Sequence, residues 1–169
     1  MKKILPLITA TALSLSAVAS VPVTAADTDY LLHSTFEEGT EKWTGRGSAS
    51  VKVVSGTSRS GEASLYTSGR ENNWNGATVS LGSSFSAGQS YAFSAYVMTE
   101  DTSSPVTFCL TLQYSDGTTD KYPKIAQVTA EKGEWAHLEN NDFTIPEGAD
   151  NIQLYIETDE GTCSFYIDE

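Results

Sequence analysis

The chain is short of positive charge, of cysteine and, beyond its first 26 residues, of any long apolar run. Ten Lys and Arg stand against 22 Asp and Glu, a formal charge of −12. Nucleic acid needs a basic footprint and its phosphates would be repelled by such a surface, so it is excluded as a partner. A neutral polymer is indifferent to that balance, and the acidity serves solubility. Nucleophile-elbow, zinc and phosphate-loop signatures are also missing. The two histidines, His33 and His137, stand alone and read as strand residues with no metal role. No long helical periodicity, internal repeat or low-complexity linker occurs.

The two cysteines are Cys109 and Cys163. Within Val106–Tyr114 the apolar set is Val106, Phe108, Leu110 and Leu112, so Cys109 faces the other way. Cys163 shares parity with Phe165 and Ile167. If both apolar sets face one core, the sulfurs lie on different sheet faces, and two free thiols are expected.

At the start, Met1-Lys2-Lys3 precedes an apolar stretch from Ile4 to about Ala19 and small residues up to Ala26. A basic start, a short apolar centre and a small-residue end predict a secretory signal peptide over residues 1–26 and a secreted, extracellular protein. The apolar centre is too short and too rich in Ser, Thr and Ala for a membrane span. Residues 27–169 then suffice for one domain with one core. Lys2 and Lys3 leave with the signal, so eight basic residues face 22 acidic ones. Because the last strand runs directly into Asp168-Glu169, residue 169 reads as a module boundary inside a longer secreted protein.

Period-two alternation recurs along the rest of the chain. It predicts strands over Tyr30–Phe36, Ala49–Val54, Ser64–Thr67, Ala77–Leu81, Tyr91–Met98, Val106–Tyr114, Tyr122–Val128, Ala136–Phe143, Ile152–Glu157 and Cys163–Asp168. Glycine-bearing turns such as Ser55-Gly56, Ala87-Gly88, Asp116-Gly117 and Glu160-Gly161 punctuate them. Strands at this spacing predict an all-β jelly-roll sandwich of two antiparallel sheets.

Three segments carry more than fold. They are Phe36-Glu-Glu-Gly39 with Trp43-Thr-Gly-Arg-Gly47; Ser60-Gly-Glu-Ala-Ser-Leu65 with Gly69-Arg-Glu-Asn-Asn-Trp-Asn-Gly76; and Phe143-Thr-Ile-Pro-Glu-Gly148 with Leu154-Tyr-Ile-Glu157 and Phe165-Tyr-Ile-Asp168. In that order they resemble the family 22 carbohydrate-binding modules, xylan-binding modules often attached to xylanases. The resemblance implies a sugar cleft across one sheet, with Arg46, Trp74, Tyr155 and Glu157 at the motif positions and Tyr122 as a central tyrosine. It further implies a structural calcium ion near the chain ends, with Glu37 and Asp168 at the matching acid positions and Glu62 as a contributor.

Physical chemistry gives these residue types a reason. A pyranose stacks its C–H face on an aromatic ring, and its hydroxyl edge needs donors and acceptors. Trp74 and Tyr122 supply platforms, while Arg46 and Glu157 supply charged hydrogen bonds. Tyr155 and Glu157, two apart on one strand, point to one face, expected to be the solvent face, with Leu154 and Ile156 pointing to the other. The bland readings are a surface turn for Arg46, an exposed strand face for Tyr155 and Glu157, and an acidic surface in place of calcium. Trp43 and Trp135 are assigned to the core or its edge. Asp116, Asp120, Asp159 and Glu160 fall in turns, where solvation explains them.

The expected function is thus non-catalytic binding of xylan, and also mixed-linkage β-glucan, by a monomeric module that targets an attached catalytic domain. A small jelly-roll glycosidase or lyase using Glu157, or a cell-surface adhesion module, is the alternative, since sandwiches host all of these.

Overall fold

The computed structural model describes residues 30–169; the signal peptide expected over 1–26 lies outside the described residues. The strands are β1 Thr44–Arg46, β2 Ser50–Ser55, β3 Ala63–Ser68, β4 Gly76–Ser80, β5 Ser90–Met98, β6 Val106–Ser115, β7 Asp120–Lys121, β8 Lys124–Ala130, β9 Ala136–Thr144, β10 Asp150–Thr158 and β11 Phe165–Asp168. Among the described residues the only helical element is a 3-10 turn at Gly82–Ser84. One sheet runs β1-β4-β10-β6-β7, with β8 also pairing β6; the other runs β2-β3-β11-β5-β9. The expected all-β sandwich of two antiparallel sheets is what forms.

Alternation explains the layering. On β10, Ile152, Leu154 and Ile156 are buried, and Leu154 and Ile156 pair in register with Leu112 and Leu110 of β6. The five-stranded sheet answers with Leu65, Phe93, Val97, Leu138, Phe165 and Ile167. Phe108 and Phe165 meet edge to face across the interior with centroids 5.4 Å apart. Burying two such faces against each other supplies the main drive to fold.

Three predicted strands need correction. Tyr30–Phe36 forms no strand: Phe36 takes φ 62, a left-handed conformation that stops a ladder, while its ring stays in the core. His33 is therefore a loop residue, bonded through Nε2 to Glu169 Oε2 at 2.6 Å. The run predicted from Tyr122 begins at Lys124, because Pro123 has no N–H for the ladder and instead accepts through its carbonyl from Leu112 N at 3.0 Å. The last strand starts at Phe165, two residues after Cys163. Thr44–Arg46 is a short strand that its glycine concealed.

Both cysteines are free. Cys109 lies on the outer side of the six-stranded sheet, and Cys163 precedes a strand of the other sheet. Trp43 is buried, its Nε1 donating to Ser34 Oγ at 3.0 Å; Trp135 is half-buried at the start of β9.

Candidate sugar-binding face

The outer face of the six-stranded sheet carries the residues that alternation turns away from the core. In register across it, Tyr155 of β10 lies between Thr78 of β4 and Thr111 of β6, and Glu157 lies opposite Cys109. Arg46, at the end of β1, pairs with Gly76 of β4.

Arg46 gathers the cluster. Its guanidinium carbon is 4.0 Å from the centroid of the Tyr155 ring, 5.3 Å from that of Trp74 and 5.6 Å from that of Tyr122. Nη1 donates to the Trp74 carbonyl at 2.7 Å, while Nε and Nη2 donate to Gln113 Oε1 at 3.4 and 3.3 Å. Gln113 Nε2 in turn donates to Asp120 Oδ2 at 3.2 Å, and Tyr122 Oη donates to that same oxygen at 3.5 Å. Glu157 Oε1 accepts from Thr111 Oγ1 at 3.1 Å. All five residues picked from the sequence, Arg46, Trp74, Tyr122, Tyr155 and Glu157, share this face.

Their exposure divides them. Trp74 and Tyr122 are 47% and 49% exposed, whereas Tyr155 and Glu157 are 2% and 9% exposed. The expectation that the Tyr155–Glu157 face looks to solvent is therefore corrected: Arg46 covers the Tyr155 ring and Thr111 engages Glu157, so these two form a floor between aromatic rims. Burial pushes the Glu157 carboxyl above the usual carboxylate range, against the opposing pull of the Thr111 hydrogen bond and the Arg46 charge. Burial likewise raises the Tyr155 phenol to about 12.

The loop that presents Trp74 is fixed by Arg70. This nearly buried side chain donates to the carbonyls of Asn75, Cys163 and Asn73 at 2.7, 2.7 and 2.6 Å, and to Thr158 Oγ1 at 2.6 Å. Burial lowers its pKa. On the other side of the Trp74 loop, Gly47 at φ +67 leaves the ring room: a Cβ there would come within 2.7 Å of Trp74 Cζ3. Sequence reasoning missed Arg70, Thr111, Gln113 and Asp120. Period two did hold a signal for two of them, because Thr111 and Gln113 share the outward parity of Cys109.

The expected metal ligands lie elsewhere. Glu37 Oε1 accepts from Glu62 N and Ala63 N at 2.8 and 3.0 Å. Asp168 Oδ2 accepts from Arg59 N and Ser60 N at 2.6 and 3.1 Å, and Oδ1 from Glu169 N at 2.9 Å. Both acids thus grip residues 59–63. Glu62 offers its backbone, and among the described residues no three of His, Cys, Asp and Glu cluster closely enough to hold an ion by side chains alone.

A cavity of about 720 Å³ opens between residues 30–36 and β5, and none of Arg46, Trp74, Tyr122, Tyr155 and Glu157 lines it. Its lining joins core side chains such as Phe93, Leu110 and Leu154 to polar and aromatic groups such as Tyr96, His137 and Glu139, away from the Arg46 cluster. No helix among the described residues is long and apolar enough to cross a membrane.

A family model described as a carbohydrate binding domain matches residues 28–162. A xylanase/beta-glucanase of Ruminococcus flavefaciens is 42% identical over 149 residues, spanning 87% of this chain and 18% of the relative. Endo-1,4-beta-xylanase Y of Acetivibrio thermocellus is 39% identical over 142 residues, 83% of this chain and 13% of the relative. The chain therefore spans less than a fifth of the length of these relatives. A solved xylan-binding domain from CBM 22 superposes with a TM-score of 0.82 at 39% identity, over 85% of this chain and 93% of that one. The C-terminal family 22 module of Clostridium thermocellum Xyn10B gives 0.81 at 37% identity, over 83% and 90%.

Proposed function

We propose, from the premise that this chain belongs to the carbohydrate binding domain family as a family 22 module, that residues 27–169 bind xylan without cleaving it. The observation that carries this reading is the Arg46 hub, which brings Trp74, Tyr122 and Tyr155 around one guanidinium above a floor that includes Glu157. Trp74 and Tyr122 offer faces on which sugar rings stack. Arg46 donates and Glu157 accepts at hydroxyl edges, so both hydrogen-bonding senses of a sugar are met. A buried carboxylate with a raised pKa also suits a general acid. Glycoside hydrolysis, however, requires a second carboxylate about 5 to 10 Å away across the bond to be cut. The other acids on this face are engaged: Asp120 accepts from Gln113 Nε2 at 3.2 Å and from Tyr122 Oη at 3.5 Å, and Asp159 pairs with Lys124 at 2.6 Å. Recognition is what the face is equipped for.

In this reading the secreted, monomeric module holds an attached glycoside hydrolase on plant cell-wall xylan and accepts mixed-linkage β-glucan as well, raising local enzyme concentration. Isothermal titration with xylohexaose, beside a reducing-sugar assay on xylan, tests it. Binding with no sugar release is expected; release that persists across independent preparations overturns it.

Calcium completes the proposal. Asp168 is 1% exposed, and among the described residues its charge is met by the backbone N–H groups of Arg59, Ser60 and Glu169 and by no Lys or Arg ion pair, so a cation beside it would neutralise a charge that those N–H groups only solvate. Glu37 and Asp168 would hold the ion, with backbone oxygens of the loop they share making up the six to eight that calcium takes. Bound there, calcium would neutralise the two acids and pin residues 59–63 to β11. Thermal melts in calcium and in chelator check this: the melting temperature is expected to be higher in calcium, with sugar affinity unchanged.

A further inference from the structure

Past Glu157, the polar floor of the face continues under a charged crossing. Lys124 stands opposite Thr111 at the start of β8, and Asp159 follows β10, its N–H donating to the Thr107 carbonyl at 2.8 Å. Between Thr111 and Thr107 on β6 lies Cys109, in register with Glu157 on one side and Gln127 on the other. The Lys124 ammonium and Asp159 carboxylate, 2.6 Å apart, therefore reach toward each other over the outward side of Cys109. Asp159 Oδ1 is 4.0 Å from Cys109 Sγ, and Gln127 Nε2 donates to that sulfur at 3.2 Å. That cover accounts for a residue that points away from the core and is nonetheless fully buried.

The crossing is tethered to the sugar site at one end, since Asn73 Nδ2, next to Trp74, donates to the Asp159 carbonyl at 2.7 Å. Both charged side chains are nearly half exposed, so they rise above the floor and do not sink into it. Beyond them the floor is again sugar-like, with the Thr107 and Thr129 hydroxyls 2.9 Å apart. The Lys124–Asp159 pair thus divides one hydroxyl- and amide-bearing surface into a part with the aromatic rims and a part without them, in which Cys109 is covered and Gln127 and Thr129 are exposed.

We propose that the Lys124–Asp159 ion pair is a selectivity wall beside the sugar unit held at Glu157, admitting an unsubstituted β-linked chain and excluding units that carry a side sugar there. The inference rests on the xylan-binding reading above. A surface pair of this kind contributes little to folding, so its removal separates selectivity from stability. Without the wall, Cys109 is uncovered and a branch on the unit at Glu157 can pass over it to the exposed Gln127 and Thr129.

The test compares xylohexaose with an arabinose-substituted xylo-oligosaccharide of the same backbone length, by titration against wild type, Lys124→Ala, Asp159→Ala and the charge-swapped double variant Lys124→Asp/Asp159→Lys. Each alanine variant should bind the substituted ligand at least fivefold better relative to the linear one than wild type does. The swap should restore wild-type discrimination, and melting should stay within a few degrees throughout. A substituted-to-linear ratio within twofold of wild type in both alanine variants overturns the wall. Failure of wild type to bind xylohexaose at all would instead strike the xylan reading on which it stands.

Discussion

Two tryptophans thirty-one positions apart in the chain sit in opposite settings. Trp43 is enclosed, edge to face with Phe36 at 6.3 Å, and its indole N–H is spent on Ser34. Trp74 stands in a run of asparagines, half exposed, with Gly47 against one part of its ring and the Arg46 guanidinium beside it. The arginines nearby divide in the same way. Arg70 spends its donors at 2.6 to 2.7 Å on three carbonyls and a hydroxyl, whereas two of the three Arg46 bonds are long, at 3.3 and 3.4 Å. An interior residue is fully satisfied by the fold. A residue held ready for a ligand keeps surface and hydrogen-bonding capacity that the fold does not use.

The largest effect should come from Trp43→Ala. Removing a packed indole from the core costs about 3 to 5 kcal/mol of stability, read as a lower denaturation midpoint, and sugar binding should be lost only in proportion to unfolding. A folded Trp43→Ala protein that binds weakly would break the contrast between the two tryptophans.

Trp74→Ala is the mirror case. Little core is disturbed, so melting should hold, while affinity for xylohexaose falls by roughly 1 to 3 kcal/mol as the stacking platform goes.

How much of this could be read from the chain alone follows the physics of each signal. Period two located most strands and the inward faces, because burial imposes it. It failed at residues 30–36, where apolar side chains serve a loop turned by Phe36, and at Tyr122, where Pro123 delays the ladder. Motif resemblance picked five residues that the fold gathers on one face, yet alternation alone could not tell an exposed face from a covered one. The burial of Tyr155 depends on a guanidinium arriving from β1, more than a hundred residues away in the chain. Arg70 stayed hidden for a related reason, since its partners come from three separate segments.

A smaller effect, of opposite sign for stability and for binding, is expected from Glu157→Gln. The folded pKa of Glu157 is raised, so across the window from its unfolded value up to that raised value the folded state holds more protons. Stability then falls as pH rises through the window, because a charged carboxylate is being buried. Affinity should move the other way, rising as the carboxylate becomes a charged acceptor. The glutamine variant should be at least as stable as wild type above that window, bind xylohexaose about 1 kcal/mol more weakly there, and lose the pH dependence of affinity that wild type shows above the ordinary carboxylate range. Titrations and melts at a series of pH values would show it.

In the proposed function the polysaccharide sits on the outer face of the six-stranded sheet, around Arg46. Titrating isotope-labelled protein with xylohexaose and following backbone amide resonances tests this without altering a residue. The account predicts shifts concentrated at residues 44–47, 72–76, 109–113, 120–124 and 155–158. Shifts gathered on β2, β3, β5 and β9 of the opposite sheet, with the Arg46 cluster silent, would contradict it.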